Sequence, residues 1–325
     1  MATAPAVTVL ICTRDRAGYL EEAIASLAAT GTAPSWELII IDNGSSDRTA
    51  TVVSDAARTF PVSLRYCFEP RPGKSFALNT GLNEAAGRVV LFGDDDQRFA
   101  PDWVEEGCRP LLDDPAFQYT GGPVLPILQA AQPSWLDLAH AELRGPLGLF
   151  DYGDDPFIFE ERHRIPGGGN MAIRASLAVQ IGGFREDLGR RGRSLLGQEQ
   201  AEFFARSRAS GARGLYVPRM VVWHQVPPER LRRRYFLRWW YWKGIAHARW
   251  QALAARGIPR FVYSESVRAA AAALRTQVPR QPAAGRFLPL LRLAYLAGNA
   301  IEAQRGTTAP GTAPAVTPLR SQGEI

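Results

Sequence analysis

Four short apolar runs alternate with helix-length amphipathic patterns across the first third of the chain. This alternation restricts the fold more than any other feature. Val7-Thr8-Val9-Leu10-Ile11-Cys12 reads as a buried strand, followed by a helix over Tyr19 to Ala29. Glu37 to Ile41 is a second strand that ends at Asp42, with Ser46 or Asp47 placed to cap the next helix. Val62 to Phe68 is a third strand, and Ser75 opens a helix running to about Ala86. Val89 to Phe92 is the fourth, with Pro101 suited to the first turn of a helix through Leu112. Parallel neighbours need crossovers of this length, so the class is α/β with a mainly parallel central sheet.

The middle stretch, Gln129 to Pro166, is rich in Pro, Gly and Asp and reads as loops with short helices. Periodicity returns in Met171 to Arg174, in a helix up to Gly182-Gly183-Phe184, in a helix over Gln198 to Ser210, and in a strand over Gly214 to Val222. The expected organisation is a domain over residues 1–226 in two halves, 7–125 and 126–226. A basic, aromatic helical extension follows over 227–304. The Thr/Pro/Ala-rich stretch 305–325 is expected to be disordered.

Hydrophobic content of 46% and charged content of 22% are those of a soluble globular protein. The three cysteines, Cys12, Cys67 and Cys108, lack CxxC spacing, which points to reduced thiols in a cytoplasmic protein rather than disulfides or a zinc site. No basic-then-apolar leader pattern is present at the N-terminus, and no apolar run approaches the roughly 20 residues that span a bilayer. The net charge of +6 conceals an asymmetry: residues 226–325 carry 16 Arg/Lys against 4 Glu, leaving the remainder acidic. A basic tail of this kind suits an anionic lipid surface, a phosphorylated acceptor or nucleic acid.

Polar clusters follow the strands at Thr13-Arg14-Asp15, at Asp42-Asn43 and at Asp94-Asp95-Asp96. Open α/β sheets bind ligands at these carboxyl ends. Three adjacent carboxylates repel one another, and a hard divalent cation with oxygen ligands is the usual counterweight. In such a DxD pattern one acid reaches a ribose hydroxyl or the metal, and another ligates Mg²⁺ or Mn²⁺ bridging two phosphates. The competing reading is a solvated loop that caps the next helix. Asp42 could accept a hydrogen bond from a base or ribose, but Asn43-Gly44 and Ser46 explain a turn there without a ligand.

In order, Val9-Leu10-Ile11-Cys12-Thr13-Arg14-Asp15-Arg16, Ile41-Asp42-Asn43-Gly44-Ser45-Ser46-Asp47, Gly73-Lys74-Ser75-Phe76-Ala77-Leu78-Asn79-Thr80-Gly81 and Asp94-Asp95-Asp96 resemble the motifs of family 2 glycosyltransferases with the GT-A fold. Gly169-Asn170-Met171 and Gly182-Gly183-Phe184 resemble that family's acceptor-side segment. The resemblance runs from about Val7 to His224. It implies inverting transfer of a sugar from a nucleotide-sugar donor to a glycan, lipid-linked or other hydroxyl acceptor, in cell-envelope polysaccharide assembly. It further implies that Thr13, Arg14 and Asp15 line the nucleotide pocket and that Asp42 holds base or ribose. Lys74 and Asn79 would sit at the pocket's edge, Asp95 beside the donor, and Asp94 and Asp96 on a divalent metal (Mg²⁺ or Mn²⁺).

The chain departs from the family at the general base. In Gly197-Gln198-Glu199-Gln200-Ala201-Glu202, aligned on Arg206, Gln200 takes the usual base position, and Gln cannot accept a proton at neutral pH. Glu199 is then the candidate base, with Glu202 its companion acid, unless both are first-turn acids favoured by the helix dipole. His224 would complete the metal site or meet the diphosphate, or is a core residue beside Trp223. Arginines and aromatics over residues 230–301 suit either an anionic membrane surface at the inner face or packing on the domain, with nucleic acid unlikely. Two other readings stand beside transfer. A sugar-phosphate nucleotidyltransferase would carry a glycine-rich loop where Thr13-Arg14-Asp15-Arg16 stands, and a non-catalytic sugar-binding member is suggested by Gln200.

Overall fold

The structure is a computed structural model describing residues 4–32, 34–160, 164–251, 260–275 and 283–305. The chain begins β1 (Val7–Thr13), α1 (Ala17–Ala28), β2 (Trp36–Asp42), α2 (Thr49–Ala56), β3 (Ser63–Phe68), α3 (Lys74–Glu84) and β4 (Val89–Asp94). It continues with β5 (Gln97–Phe99), α4 (Trp103–Asp113), β6 (Tyr119–Gly121), β7 (Val124–Leu128), the short α5 (Ala141–Arg144), β8 (Phe157–Ile158) and β9 (Asn170–Arg174). The last elements are α6 (Ala175–Ile181), α7 (Glu199–Ala209), β10 (Gly214–Tyr216), β11 (Val222–Val226), α8 (Arg233–Gln251), α9 (Arg260–Arg275) and α10 (Ala283–Gln304).

The large sheet has the order β3-β2-β1-β4-β9-β6-β10-β8. Its first four strands pair in parallel, and β9 runs antiparallel between β4 and β6. Alternating side chains send Val9, Ile11, Leu38, Ile40 and Leu91 to one face, under α1, α2 and α4. Leu10, Ile39, Ile41, Val90 and Phe92 go to the other, under α3, α6 and α7. Both faces are covered, which is why these strands read as continuous apolar runs.

A second sheet, β5-β11-β7, leans against the large one. The strand read over Gly214 to Val222 is in fact two: β10 in the large sheet and β11 in the small one. Pro218, which has no N–H for a ladder, lies in the turn between them. At α2 it is Asp47 that caps, its Oδ1 accepting from the Thr49 N–H at 3.0 Å.

The basic C-terminal stretch is helical, and much of its aromatic surface faces inward. Phe236 of α8 and Phe287 of α10 join Leu136, Leu143, Leu147 and Val226 in one apolar cluster. Gly244 and Gly298 let α8 and α10 touch backbone to backbone: an added Cβ would meet Tyr295 or Tyr241 carbonyl oxygen. No described helix is long and apolar enough to cross a membrane. Residues 306–325, most of the stretch read as a disordered tail, lie outside the described residues.

Candidate active site

Asp94 ends β4, and Asp95-Asp96 form the turn that carries the chain from the large sheet to the small one. The three border a cleft of about 1020 Å³. Pairing of β11 with β5 sets His224 opposite Gln97, so its imidazole Nε2 lies 3.3 Å from Asp96 Oδ2. The charges that offset the carboxylates are the protein's own. Arg16 Nη1 donates to Asp95 Oδ1 at 2.6 Å and to Asp96 Oδ2 at 2.8 Å. Lys74 Nζ pairs with Asp94 Oδ1 at 2.8 Å, and Arg230 Nη2 reaches Asp96 Oδ2 at 3.3 Å.

Burial pushes the Asp95 carboxyl up to about 6, against the pull of Arg16. Burial acts the same way on Asp96, but His224, Arg16 and Arg230 together outweigh it and hold that carboxyl well below the usual range. Asp96 therefore stays ionised well below neutral pH. Sequence reasoning missed Arg16 and Arg230 as partners. Arg16 could have been found, because it follows the Thr13-Arg14-Asp15 cluster at the carboxyl end of β1; Arg230, beyond the last strand, carried no such signal.

Thr13 lies at the end of β1, level with Asp42 on β2, and its hydroxyl donates to Asp95 Oδ2 at 2.8 Å. Arg14 lines the cleft with its side chain 45% exposed and its Nε 3.7 Å from Asp15 Oδ2. Asp15 turns away. It holds a left-handed backbone (φ 52°) and accepts from the Ser46 N–H at 2.6 Å. Asp42 Oδ1 accepts from the Ser45 N–H at 2.7 Å and Oδ2 from the Tyr66 hydroxyl at 2.8 Å. Its neighbour Asn43 does line the cleft, and accepts from the Gly73 N–H. Asn79 needs correction. It is buried away from the cleft, donating to the Phe184 carbonyl at 2.9 Å and accepting from the Phe184 N–H at 2.7 Å. Packing against Gly183 fixes it there.

On the same cleft, α7 begins at Glu199, preceded by Gln198 in a left-handed conformation (φ 73°). That strained turn aims Glu199 into the cleft, where Oε2 is buried without a hydrogen-bond partner. Gln200 donates its amide to the Pro166 carbonyl and packs against Gly168. A carboxylate has no proton to give that carbonyl, so this glutamine does a job that an acid cannot. The neighbouring Gly169 must lack a side chain, since a Cβ there would run into the Asp94 carboxylate. Glu202 also needs correction: both of its oxygens are taken by Arg206, at 2.7 and 2.8 Å, and it does not border the cleft.

Residues 8–166 match the profile described as Glycosyl transferase family 2. Those residues form a glycosyltransferase family 2 domain. The chain is 25% identical over 243 residues to the glucosyl-dolichyl phosphate glucuronosyltransferase of Haloferax volcanii, covering 74% of this chain and 75% of that one. It is 28% identical over 118 residues to the putative teichuronic acid biosynthesis glycosyltransferase TuaG of Bacillus subtilis, covering 36% and 46% of the two chains. Among solved structures it resembles the Pyrobaculum calidifontis mannosyltransferase PcManGT, determined with GDP-Man and Mn²⁺, at TM-score 0.62 and 20% identity, covering 93% of this chain and 87% of that one. S. aureus TarS 1-349 superposes at TM-score 0.51 and 16% identity, covering 92% and 89%. These likenesses show the GT-A fold of the transferase.

The acidic turn of this transferase can be tested for fit to a divalent ion. Asp94 and Asp96 offer hard oxygens, and the His224 ring keeps a buried Nδ1 without a partner. Among the described residues no group of three His, Cys, Asp or Glu is arranged to hold an ion by itself. Mg²⁺ commonly takes one or two carboxylates and completes its shell with substrate phosphates and water. The residues fit an ion of that kind, shared with a diphosphate.

Proposed function

We propose that this glycosyltransferase moves a sugar, with inversion, from a nucleotide-sugar donor to a hydroxyl of a glycan or lipid-linked acceptor. The observation that carries the reading is Glu199: a carboxylate oxygen, buried and unpartnered, in the same cleft as the acidic turn. A general base must present a free lone pair where the acceptor hydroxyl lies, and Glu199 has one. Attack by that hydroxyl on the face of the sugar opposite the departing diphosphate would give inversion. Thr13 and Arg14 border the donor end, with Asp42 and Asp15 shaping the loops behind them.

Asp94 and Asp96, with His224, would hold a divalent ion, which supplies positive charge to the departing diphosphate. Arg14, Arg16 and Lys74 add fixed cations at that end of the cleft. Lys74 also interacts electrostatically with Glu199, tying the base to the donor side. The relatives from H. volcanii and B. subtilis support a glycan or lipid-phosphate acceptor in cell-envelope assembly. The exposed Arg232, Arg233, Arg234 and Arg238 support contact with an anionic membrane face.

The test is nucleoside diphosphate release from a panel of nucleotide sugars with Mn²⁺ and candidate acceptors. Glu199→Gln should lower acceptor-dependent release by about 10²–10⁴-fold while donor binding is kept. Release unchanged in Glu199→Gln would remove Glu199 as the base, and no release with any donor would remove the transfer reading.

A further inference from the structure

The wall of the cleft can be followed from the acidic turn outward. The His224 ring lies 3.7 Å from where a side chain on Gly148 would begin, and Gly145, three residues earlier, sits 3.2 Å from the Trp239 ring on the same basis. One helical turn beyond Trp239 on α8 comes Lys243, which lines the same cleft, as do Arg144 and Arg164. This far end of the wall carries Lys243, Arg144 and Arg164, whereas at the near end Arg16, Lys74 and Arg230 are paired with the three aspartates.

Lys243 has no carboxylate partner within ion-pairing distance among the described residues. Its ammonium instead lies 5.2 Å from the Trp239 ring centroid and 4.6 Å from that of Trp240. Burial holds its pKa below the ordinary lysine value, with Glu142 pulling weakly the other way. Asp151, which also lines the cleft, turns its Oδ1 onto the Gly153 N–H at 3.0 Å. A partly desolvated cation facing a cavity, held only by ring faces, is costly unless an anion joins it. Arg144, next to the Gly145 that abuts the Trp239 ring, has a guanidinium fork that matches phosphate oxygens in geometry as well as charge.

We infer that Lys243, Arg144 and Trp239 form an acceptor subsite for a phosphate group, so that the hydroxyl that gives its proton to Glu199 and bonds the anomeric carbon, as the bond to the nucleoside diphosphate breaks, belongs to a phosphorylated acceptor. The inference rests on the donor occupying the end of the cleft at the acidic turn. Two sources share this chemistry, a lipid phosphate and a soluble sugar phosphate.

The test measures binding to the full chain whose donor end is saturated with Mn²⁺ and whichever of GDP or UDP raises its Tm. Farnesyl phosphate and glucose 6-phosphate are titrated, with farnesol and glucose as uncharged counterparts. At least one phosphate should bind and its uncharged counterpart should not. Lys243→Met should weaken that binding by about tenfold or more, and Lys243→Arg should restore most of it, with nucleotide affinity unchanged in both. Binding of farnesyl phosphate alone assigns the lipid source, and binding of glucose 6-phosphate alone the soluble one. If Lys243→Met lowers the Tm of the free protein, Arg144→Gln carries the same test from the loop side. Phosphate binding absent from the wild type, or equal in wild type and both variants, overturns the subsite while leaving the donor reading intact. Failure of both nucleotides to bind removes the donor reading and the subsite with it.

Discussion

Glu199 and Gln200 are adjacent in sequence and have opposite tasks: one keeps a carboxylate oxygen free in the cleft, the other spends its amide on the Pro166 carbonyl. A similar division is found at Glu69, which follows β3. Its carboxylate accepts from the Arg71 backbone N–H at 2.8 Å and from the guanidinium at 2.8–3.0 Å, and also takes the Thr80 hydroxyl. The Arg71 hydrogen bond is the main reason its pKa falls from 4.5 to about 2. A carboxyl depressed on folding stabilises the protein above its unfolded pKa, and the benefit is lost as pH falls through the folded one. Glu69→Gln should therefore be less stable at neutral pH by about 1 kcal/mol, a value reduced because Arg71 is half exposed. The deficit should shrink between pH 4.5 and about 2, and denaturant titrations across that range check it. The strand-end positions of Thr13, Asp42 and Asp94 were legible in the sequence, because apolar runs stop where the chain reaches water. The partners of those acids were not: Arg16 meets Asp95 across 79 residues, and no local pattern records such a distance.

At the scale of elements, the helices α8 and α10 show where periodicity gives out. Aromatic residues beside arginines suit a membrane surface and an internal interface equally well, and only the packing of Phe236, Trp240 and Phe287 shows how many rings turn inward. The contacts step forward together, Phe236 with Phe287 and Arg249 with Glu302, so the two helices run parallel and bring Trp239 and Lys243 to the cleft. That placement depends on two glycines. Gly298→Ala would drive a methyl into the Tyr241 carbonyl, backbone that does not yield, and should cost about 1–3 kcal/mol with a lowered Tm. Gly18→Ala, in α1, meets nothing within 4 Å and should instead gain about 0.5–1 kcal/mol from helix propensity. Opposite signs in thermal melts would confirm that contact, not helix preference, decides the first. The division of the Gly214 to Val222 stretch between two sheets was also hidden, since both halves are apolar and only Pro218 hints at the break.

For the molecule as a whole, the family match ends at residue 166, but the sheet does not. Strand β9, residues Asn170–Arg174, is what seals the outer side of β4. A fragment of residues 8–166 should therefore be insoluble, or elute as large oligomers in size-exclusion chromatography, where the full chain does not. The same topology sets a timetable during synthesis. Translation advances at roughly 5–20 residues per second, so β4 waits several seconds with an unpaired edge while the intervening loops emerge. The strand that bears the acidic turn is thus also the one most exposed to mispairing on the ribosome, and cellular yield should respond to chaperone supply and elongation rate more than to any residue in the cleft.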